Sequence, residues 1–474
     1  MEFEAIIGLE IHVQMKTNSK MFSSAPVTFG YEPNTQADIN DLSFPGSMPT
    51  INKQAVINAI RVCNALHMEI DDTLLFDRKN YFYSDLSKGY QITQQFRPIG
   101  RNGYLTIKLN GKDKTIGVVR LHIEEDACKQ LHESSHSLLD YNRSGIPLLE
   151  IVSKPEIRSG QEAVKYVEAI RSIVTFLGVS DGKMEEGSLR VDINISLKNK
   201  NSDDYGTKVE IKNLNSLSNI QKAIDYEINR QSKLLESGDV VKQFTRRYDE
   251  SKKKTTTMRV KIDSIDYKYF TDSNLPPVKL SKEFIEDAVK SSPKLASTRQ
   301  GEYKKYGLND YDASLILSDV EIANYFEKGL KSGCSAKLLA NWINVEVQGY
   351  LNRNNISIDE FTINSEELGG LVNCVEAGEI NSKQAKVLFN KMIETKKDAK
   401  TLIKDMGLTQ ESDINVLVGL VKEVIDNNPQ TIIDYKAGKD RVVGFLVGQV
   451  MKKTNGKANP AIVNKLILNE MKRR

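Results

Sequence analysis

The sequence predicts an α+β protein in which a domain built on a mixed β-sheet precedes two helical domains. The chain has 474 residues, which is more than one hydrophobic core usually serves, and about three domains are typical of this length. Apolar and polar residues alternate in many short segments of the first 280 residues, as they do in strands. From residue 281 onward the apolar residues recur with helical spacing instead, and this change divides the chain.

The amino-terminal region alternates most clearly in residues 7–15, where the odd positions are apolar and the even positions mostly polar. A period of two predicts a strand with one buried and one displayed face. The further predicted strands are residues 104–109, 116–123, 148–152, 189–197, 208–212 and 256–262. Helical spacing predicts helices at residues 53–66, 161–176 and 220–235.

The Leu-Pro-Pro sequence at residues 275–277 marks the end of the strand-rich region. Proline lacks a backbone donor and disfavours helix in the residue before it, so this segment is a natural linker. We expect a catalytic sheet domain at residues 1–280, a helical domain at 281–400 and a small helical tail domain at 401–474.

The composition is that of a folded protein without a membrane span. Apolar residues make up 39% and charged residues 27% of the chain. No stretch approaches the roughly 18 apolar residues of a membrane helix, and the acidic amino terminus does not resemble a signal peptide. The cysteines Cys63, Cys128, Cys334 and Cys374 form no CxxC pair and fit a reducing compartment. We therefore expect a cytoplasmic protein that does not contact membranes.

Positive charge is concentrated at the carboxyl terminus. The net charge of the whole chain is only +3, but residues 436–474 contain ten lysines and arginines against two acids. Such a segment attracts phosphate backbones or simply solvates a helix face, and charge alone leaves both possibilities open.

His12 is the distinctive histidine of the five, all of which lie in the first 140 residues. Glu10 and His12 are two positions apart in a predicted strand, so their side chains leave the same face roughly 7 Å apart. A carboxylate and an imidazole in this arrangement can share a divalent cation. The pair by itself is more often no more than the exposed face of a strand.

Acids recur on the polar faces of other predicted strands. Asp192 and Glu210 occupy alternating positions, and Glu150 interrupts an apolar run, where a charge is costly unless it is paired or bound to a cation. Glu125 belongs to three consecutive acids at residues 124–126, whose mutual repulsion a metal ion would relieve. Salt bridges explain each acid singly, but acids on several strands make a shared metal site an equally good explanation.

Cations suited to phosphate chemistry accompany these acids. Lys79 lies in a basic and aromatic stretch at residues 77–83, Lys88 follows it, and Arg143 lies shortly before Glu150. Lysine and arginine can neutralise the oxygens of a phosphoryl group in transfer. The sequence has no P-loop, dinucleotide-binding fingerprint, kinase motifs or nucleophile elbow, and no glycine- and serine-rich amidase stretch.

Together these motifs resemble one family, the GatB subunits of the tRNA-dependent aspartyl/glutamyl-tRNA amidotransferases, over about residues 3–472. The matching stretches are IGLEIH at residues 7–12, RKNYFY at 78–83, LHIEED at 121–126, NRSGIPLLEIV at 142–152, MEEGSLR at 184–190, KVEIKNLNS at 208–216, GFLVGQVM at 444–451 and GKANP at 456–460.

The resemblance implies a cradle-like catalytic domain, a helical domain and a tail domain related to the YqeY proteins. It implies a glutamine-dependent carbon–nitrogen ligase that uses ATP and Mg²⁺ to phosphorylate the side-chain carboxylate of misacylated Glu-tRNA(Gln) or Asp-tRNA(Asn). Ammonia then displaces the phosphate. A separate amidase subunit makes this ammonia from glutamine, and a small third subunit completes a heterotrimer.

The resemblance also implies roles for individual residues. His12, Glu125 and Glu150 are the expected metal ligands, and Glu10, Asp192 and Glu210 are further candidates as ligands or as holders of hydrated metal. Lys79, Lys88 and Arg143 are expected to contact phosphate or line the polar mouth of the ammonia path, and Glu125 is the candidate base toward ammonium. The expected tRNA-binding residues of the tail are Lys452, Lys453 and Lys457.

Two other functions compete with this interpretation. A non-catalytic tRNA-binding scaffold would leave all chemistry to a partner, but binding RNA gives no reason for carboxylates to converge on one face. A free-standing metal hydrolase would be active without any partner.

Overall fold

The computed structural model describes residues 2–202, 204–260, 266–408, 414–436, 441–454, 458 and 460–474. It confirms the α+β class, with a mixed sheet followed by helices. The chain forms two compact units, Met1–Ala296 and Ser297–Arg474. The expected three-domain division, with boundaries near residues 280 and 400, stays a prediction.

The strands all lie in the first unit as far as the chain is described. They are β1 (Phe3–Gln14), β2 (Glu69–Ile70), β3 (Thr73–Leu74), β4 (Asp77–Asn80), β5 (Tyr90–Thr93), β6 (Gly100–Leu109), β7 (Lys112–Glu125), β8 (Lys129–His132), β9 (Ser137–Asp140), β10 (Pro147–Ser153), β11 (Leu189–Asn199), β12 (Val209–Lys212), β13 (Phe244–Asp249), β14 (Lys254–Val260), β15 (Phe270–Thr271) and β16 (Val278–Lys279).

The main sheet has the strand order β14-β13-β12-β11-β1-β10-β7-β6-β2. Its pairs are antiparallel except for β12 and β13, which run parallel and make the sheet mixed. A smaller sheet has the order β15-β4-β5, and β3 pairs with β16 and β8 with β9.

Strand β1 lies in the middle of the main sheet because its alternating residues serve two different faces. Ile7, Leu9, Ile11 and Val13 are buried in the core, which also includes apolar residues of the helices α1 (Lys53–Ala65), α2 (Gly160–Phe176) and α3 (Leu217–Glu236). Burying these side chains removes apolar surface from water at about 25 cal/mol per Å². The polar residues of β1 are thereby left on the opposite face of the sheet.

The predicted elements of this unit have counterparts at nearly the predicted positions. The strand expected at residues 256–262 corresponds to β14, which ends at Val260, and residues 261–262 lie outside the described part of the chain. Helix α3 begins earlier than predicted because the Ser216 side chain accepts a hydrogen bond from the Asn219 amide and caps it. Strand β4 was missed because its sequence, Asp-Arg-Lys-Asn, shows no apolar alternation.

Strand β5 joins the small sheet to the end of β7, where the acids at residues 124–126 lie. The Gln91 side chain donates a hydrogen bond to the Glu125 carbonyl at 2.7 Å, and the Ile123 amide donates to the Gln94 side chain at 3.0 Å. These bonds bring β4 and its basic residues to the polar face of the main sheet.

The second unit is helical throughout its described residues. Helix α4 (Lys282–Lys290) closes the first unit, and the helices that follow are α5 (Ala296–Lys305), α6 (Asp310–Ile316), α7 (Val320–Leu330), α8 (Ala336–Trp342), α9 (Gln348–Asn354), α10 (Ser365–Glu376), α11 (Ser382–Thr395), α12 (Ala399–Asp405), α13 (Ile414–Asp426), α14 (Gln430–Lys436), α15 (Arg441–Lys453) and α16 (Pro460–Arg473). A π-helical turn, Ile343–Val347, joins α8 to α9, and Ile358–Glu360 forms a 3₁₀ turn.

Helices α13, α15 and α16 share a hydrophobic core of their own, with Leu417, Leu446 and Ile467 fully buried in it. No helix in the described part of the chain has both the length and the apolar character needed to cross a membrane. The four cysteines are unpaired and buried.

Candidate metal and phosphate site

The polar face of the main sheet gathers side chains from four neighbouring strands. His12 lies opposite Glu150 of β10 on one side and opposite Arg190 of β11 on the other. Glu150 in turn lies opposite His122 of β7. Because directly opposed residues project to the same face, the antiparallel register by itself brings these side chains together.

His12, Glu124 and Glu150 form a group whose possible ligand atoms all lie within 4.8 Å of one another. The His12 Nε2 atom lies 3.5 Å from Glu150 Oε2 and 3.7 Å from Glu124 Oε1. One imidazole nitrogen and two carboxylates are a suitable donor set for a divalent cation. We call these three residues the acid–histidine group.

His122 stands directly behind this group and was not predicted. Its Nε2 atom lies 3.3 Å from Glu124 Oε2 and 3.3 Å from Glu150 Oε2, so one imidazole holds both carboxylates. Burial lowers the pKa of His122, but the charges of Glu150 and Glu124 outweigh burial and raise the pKa to about 9. The signal was in the sequence: His122 and Glu124 are two positions apart in a strand.

The pKa values of the other partners follow the same balance. Burial lowers the pKa of His12, yet the hydrogen bond and charge of Glu150 leave that pKa raised. Burial raises the pKa of Glu150, and the two histidines reverse this and hold it well below its ordinary value. Without a bound cation, the carboxylates are therefore neutralised by protonated histidines.

Glu125, the predicted ligand and base, does not join the acid–histidine group, and its neighbour Glu124 lies there instead. Successive residues of a strand point to opposite faces, so Glu124 and Glu125 cannot both reach His12. The Glu125 carboxylate accepts a hydrogen bond from Lys88 Nζ at 2.6 Å and another from the Ile92 amide at 3.0 Å. Lys88 and Glu125 line a small cavity of about 110 Å³.

Arg143 approaches the third acid of the run, Asp126. Its Nη2 atom lies 3.1 Å from Asp126 Oδ1, while Arg190 Nη2 lies 3.0 Å from Asp126 Oδ2. Gln14 of β1 donates to the same carboxylate at 2.8 Å. Asp126 is therefore fully engaged as a positioning acid for two arginines at the edge of the site.

Glu10, Asp192 and Glu210 lie on the same face but farther along it, around a lysine that was not predicted as their partner. Lys212 Nζ contacts Asp192 and lies 3.2 Å from Glu210 Oε1. Glu10 accepts a hydrogen bond from Asn194 Nδ2 at 2.8 Å. We call the three acids with Lys212 the acid–lysine group.

Lys79 approaches the acid–histidine group from the small sheet. Burial lowers the pKa of Lys79, and the charges of Glu124 and Glu150 more than compensate and leave it raised. The Lys79 Nζ atom lies 4.9 Å from the ring centroid of Tyr267. A cation held this close to two carboxylates can act on a phosphate bound between them.

A larger cavity, of about 330 Å³, opens beside the acid–lysine group. Glu10 and Asn194 line it together with Gly8, Tyr205 and Lys208. This volume lies at the lower end of the range of small-molecule sites.

The predicted tRNA-binding lysines have different placements. Lys452 and Lys453 form the last turn of α15, and Lys453 pairs with Glu423 of α13. Lys457 lies outside the described residues.

Comparison with known proteins gives consistent matches over the chain. The family model of the GatB/GatE catalytic domain matches residues 5–286, and that of the GatB domain matches residues 324–471. The chain is 48% identical over 476 residues to the GatB subunit of the aspartyl/glutamyl-tRNA(Asn/Gln) amidotransferase of Geobacillus thermodenitrificans, with all of both chains covered. The corresponding subunits of Geobacillus kaustophilus and Bacillus mycoides are also 48% identical, again over the full length of both chains.

Proposed function

Since the chain belongs to the GatB/GatE family, we propose that it acts as the GatB subunit of a tRNA-dependent amidotransferase. Its substrate class is misacylated tRNA, Glu-tRNA(Gln) or Asp-tRNA(Asn), in keeping with the name of its relatives. The finer proposal concerns the chemistry at the sheet face. The observation that carries it is the convergence of His12, Glu124 and Glu150 beside Lys79.

The proposed reaction has two steps. The γ-phosphoryl group of ATP is transferred to the side-chain carboxylate of the tRNA-borne amino acid, which gives ADP and an acyl phosphate. Ammonia then forms a carbon–nitrogen bond, the carbon–oxygen bond to phosphate breaks, and phosphate leaves with the electron pair as ammonia loses a proton. Phosphoryl transfer depends on positioning and charge neutralisation, so the lack of a nucleophile motif in the sequence is consistent with it.

A divalent cation, Mg²⁺ by resemblance, fits the acid–histidine group. His12 Nε2 and one oxygen each from Glu124 and Glu150 would hold it, with His122 orienting both carboxylates. When bound, the cation would neutralise phosphate oxygens. Glu124 thus takes the ligand role that the resemblance assigned to Glu125.

The remaining charged residues divide between two tasks. Lys79, beside the carboxylates, is proposed to bind the transferred phosphoryl group. Lys88 and Glu125, paired at a small cavity, are proposed to form the polar mouth of the ammonia path together with Arg143, with Glu125 as base toward ammonium. The larger cavity beside Glu10 and Asn194 is proposed to accept the nucleoside part of ATP.

Partners follow from the same proposal. Ammonia would come from a separate amidase subunit, braced by a small third subunit in a heterotrimer, because the sequence carries no amidase motif of its own. Lys452, Lys453 and Lys457 are proposed to contact the phosphates of the tRNA body, which is the usual way a basic surface binds folded RNA. A cytoplasmic location belongs to the proposal as well.

The test is a His12→Ala variant in the complete complex with its amidase partner. We expect transfer of the γ-phosphoryl group to Glu-tRNA(Gln) to fall by at least about a hundredfold, while glutamine hydrolysis continues. His136→Ala, which changes an exposed histidine paired with Glu133, is the matched control. Unchanged phosphoryl transfer in His12→Ala would contradict the proposal and favour a non-catalytic scaffold. Activity of the isolated chain would favour a free-standing hydrolase.

A further inference from the structure

Four aromatic side chains form a continuous surface next to Lys79. The ring centroids of Tyr81 and Tyr267 lie 5.8 Å apart, those of Tyr267 and Tyr269 5.9 Å, and those of Tyr269 and Phe96 6.4 Å. All three contacts are edge-to-face. We call these four residues the aromatic platform.

The segment that carries two of these tyrosines is held in an uncommon conformation. Lys268, between Tyr267 and Tyr269, has a φ of 46°, in the left-handed region that residues with side chains rarely adopt. Asn80 fixes this turn: its amide donates to the Tyr267 carbonyl at 2.9 Å, and its side chain donates to the Lys268 carbonyl at 2.7 Å. Backbone strain that neighbouring groups maintain in this way is concentrated at binding sites.

The platform borders the acid–histidine group through Lys79. The Lys79 Nζ atom lies 4.9 Å from the Tyr267 ring centroid and 5.8 Å from that of Tyr81. The same lysine feels the charges of Glu124 and Glu150, as described above. One side chain therefore connects the aromatic rings to the carboxylates.

The platform is also open to solvent. Phe96 is 57% exposed, and Tyr81, Tyr267 and Tyr269 are only partly buried. Aromatic rings that serve only the core bury most of their surface, whereas rings left partly open beside a cation offer stacking surface to a planar ligand. Unpaired bases of RNA are bound on surfaces of this kind.

We propose that the aromatic platform binds an adenine base, that of the 3′-terminal nucleotide of the aminoacylated tRNA. The inference rests on the proposed function. The amino acid is esterified to the terminal ribose, so a side-chain carboxylate at the acid–histidine group leaves the adenine only one ribose and one amino acid away. The platform is the aromatic surface that adjoins this group through Lys79.

ATP is a second source of adenine, and the two sources make different predictions. The cavity beside Glu10 and Asn194 is proposed for the nucleoside of ATP, and the platform is assigned to the tRNA end. If the platform instead bound the adenine of ATP, its substitution would weaken ATP binding and leave the tRNA end unaffected.

The experiment uses a small analogue of the tRNA end, adenosine whose 3′-oxygen is replaced by an amide-linked L-glutamyl group, and calorimetric titration of the full chain. We expect Tyr267→Leu and Tyr269→Leu each to raise the Kd of this analogue about tenfold, because a stacked ring contributes that much to base binding. Tyr267→Phe keeps the ring and should bind as the unmodified chain does. The Kd of ATP, titrated in parallel, should stay unchanged.

Tyr104→Leu is the matched control, since Tyr104 is a partly exposed tyrosine that stacks on His67 at 4.5 Å. The proposal is overturned if the unmodified chain does not bind the analogue, if both leucine variants bind it as tightly as the unmodified chain, or if only the Kd of ATP rises. Failure of the proposed function would have another signature: the analogue would bind and respond to the variants, while the complete complex formed no amide on Glu-tRNA(Gln).

Discussion

The acid–histidine group and the acid–lysine group share one face of one sheet but balance their charge differently. In the first, Glu124 and Glu150 face two imidazoles, His12 and His122, whose positive charge depends on bound protons. In the second, Lys212 supplies a permanent positive charge between Asp192 and Glu210. A histidine can release its proton and become a ligand, whereas a lysine in an ion pair keeps its proton. The first group is therefore suited to exchange protons for a cation, and the second is complete without one.

The largest expected effect comes from removing one carboxylate of the acid–histidine group. Glu150→Gln should lower amide formation on Glu-tRNA(Gln) by about a thousandfold, because one charge opposite both histidines is lost. Steady-state assays of the complete complex measure this. Glu133→Gln, at an exposed acid, is the control and should have no effect. An equal loss from both variants would show that the acid–histidine group has no special role.

The pH dependence of stability should separate the groups next most strongly. The folded pKa of His122 is raised to about 9 from an ordinary value of 6.5, so its stabilising contribution is complete below pH 6.5 and is lost as the pH rises through 9. The free energy of unfolding of the metal-free chain should fall by about 3 kcal/mol over this window.

Urea unfolding at several pH values tests the His122 prediction. In His122→Asn, which cannot titrate, most of the slope between pH 6.5 and 9 should disappear. A slope that persists unchanged in this variant would assign it to other residues. Divalent cations should also flatten the slope in the unmodified chain, since they replace the protons.

Removing the lysine should convert the second group into an unbalanced one. Lys212→Met leaves Asp192 and Glu210 without their cation and should lower the free energy of unfolding by about 2 kcal/mol at neutral pH, less than for a fully buried pair because Lys212 is about one-third exposed. Thermal unfolding measures the loss. Lys165→Met, at an exposed helix pair with Glu168, is the control. If added Mn²⁺ restores stability to Lys212→Met and not to the control, the two groups differ only in the nature of their counter-charge.

The smallest effect is expected at Glu10, although it lies on the same strand as His12. Glu10 is bonded to Asn194, and Glu10→Gln should therefore change the affinity for Mn²⁺ by less than about threefold, against about a hundredfold for Glu150→Gln. Titration of the two variants with Mn²⁺, followed by electron paramagnetic resonance, gives both constants. Comparable losses at the two positions would remove the distinction between the groups.

The sequence by itself determined the fold class and the polar face of the sheet. Period-two alternation needs no tertiary knowledge, so Glu10 and His12 could be assigned to one face of a strand from their spacing. The motif resemblance likewise identified the family before any coordinates, because long ordered motifs survive without knowledge of their contacts.

Only the tertiary structure decided which charged residues meet. The pairing of His12 with Glu150 spans 138 positions of the chain and depends on the antiparallel register of β1 with β10, which no local pattern encodes. That register selected Glu124 over Glu125, and it brought His122 to both carboxylates. The aromatic platform required the approach of Tyr267 to Lys79 across 188 positions. Local periodicity fixes the face on which a side chain lies, and the partners on that face are set by strand order and register, which are properties of the folded chain.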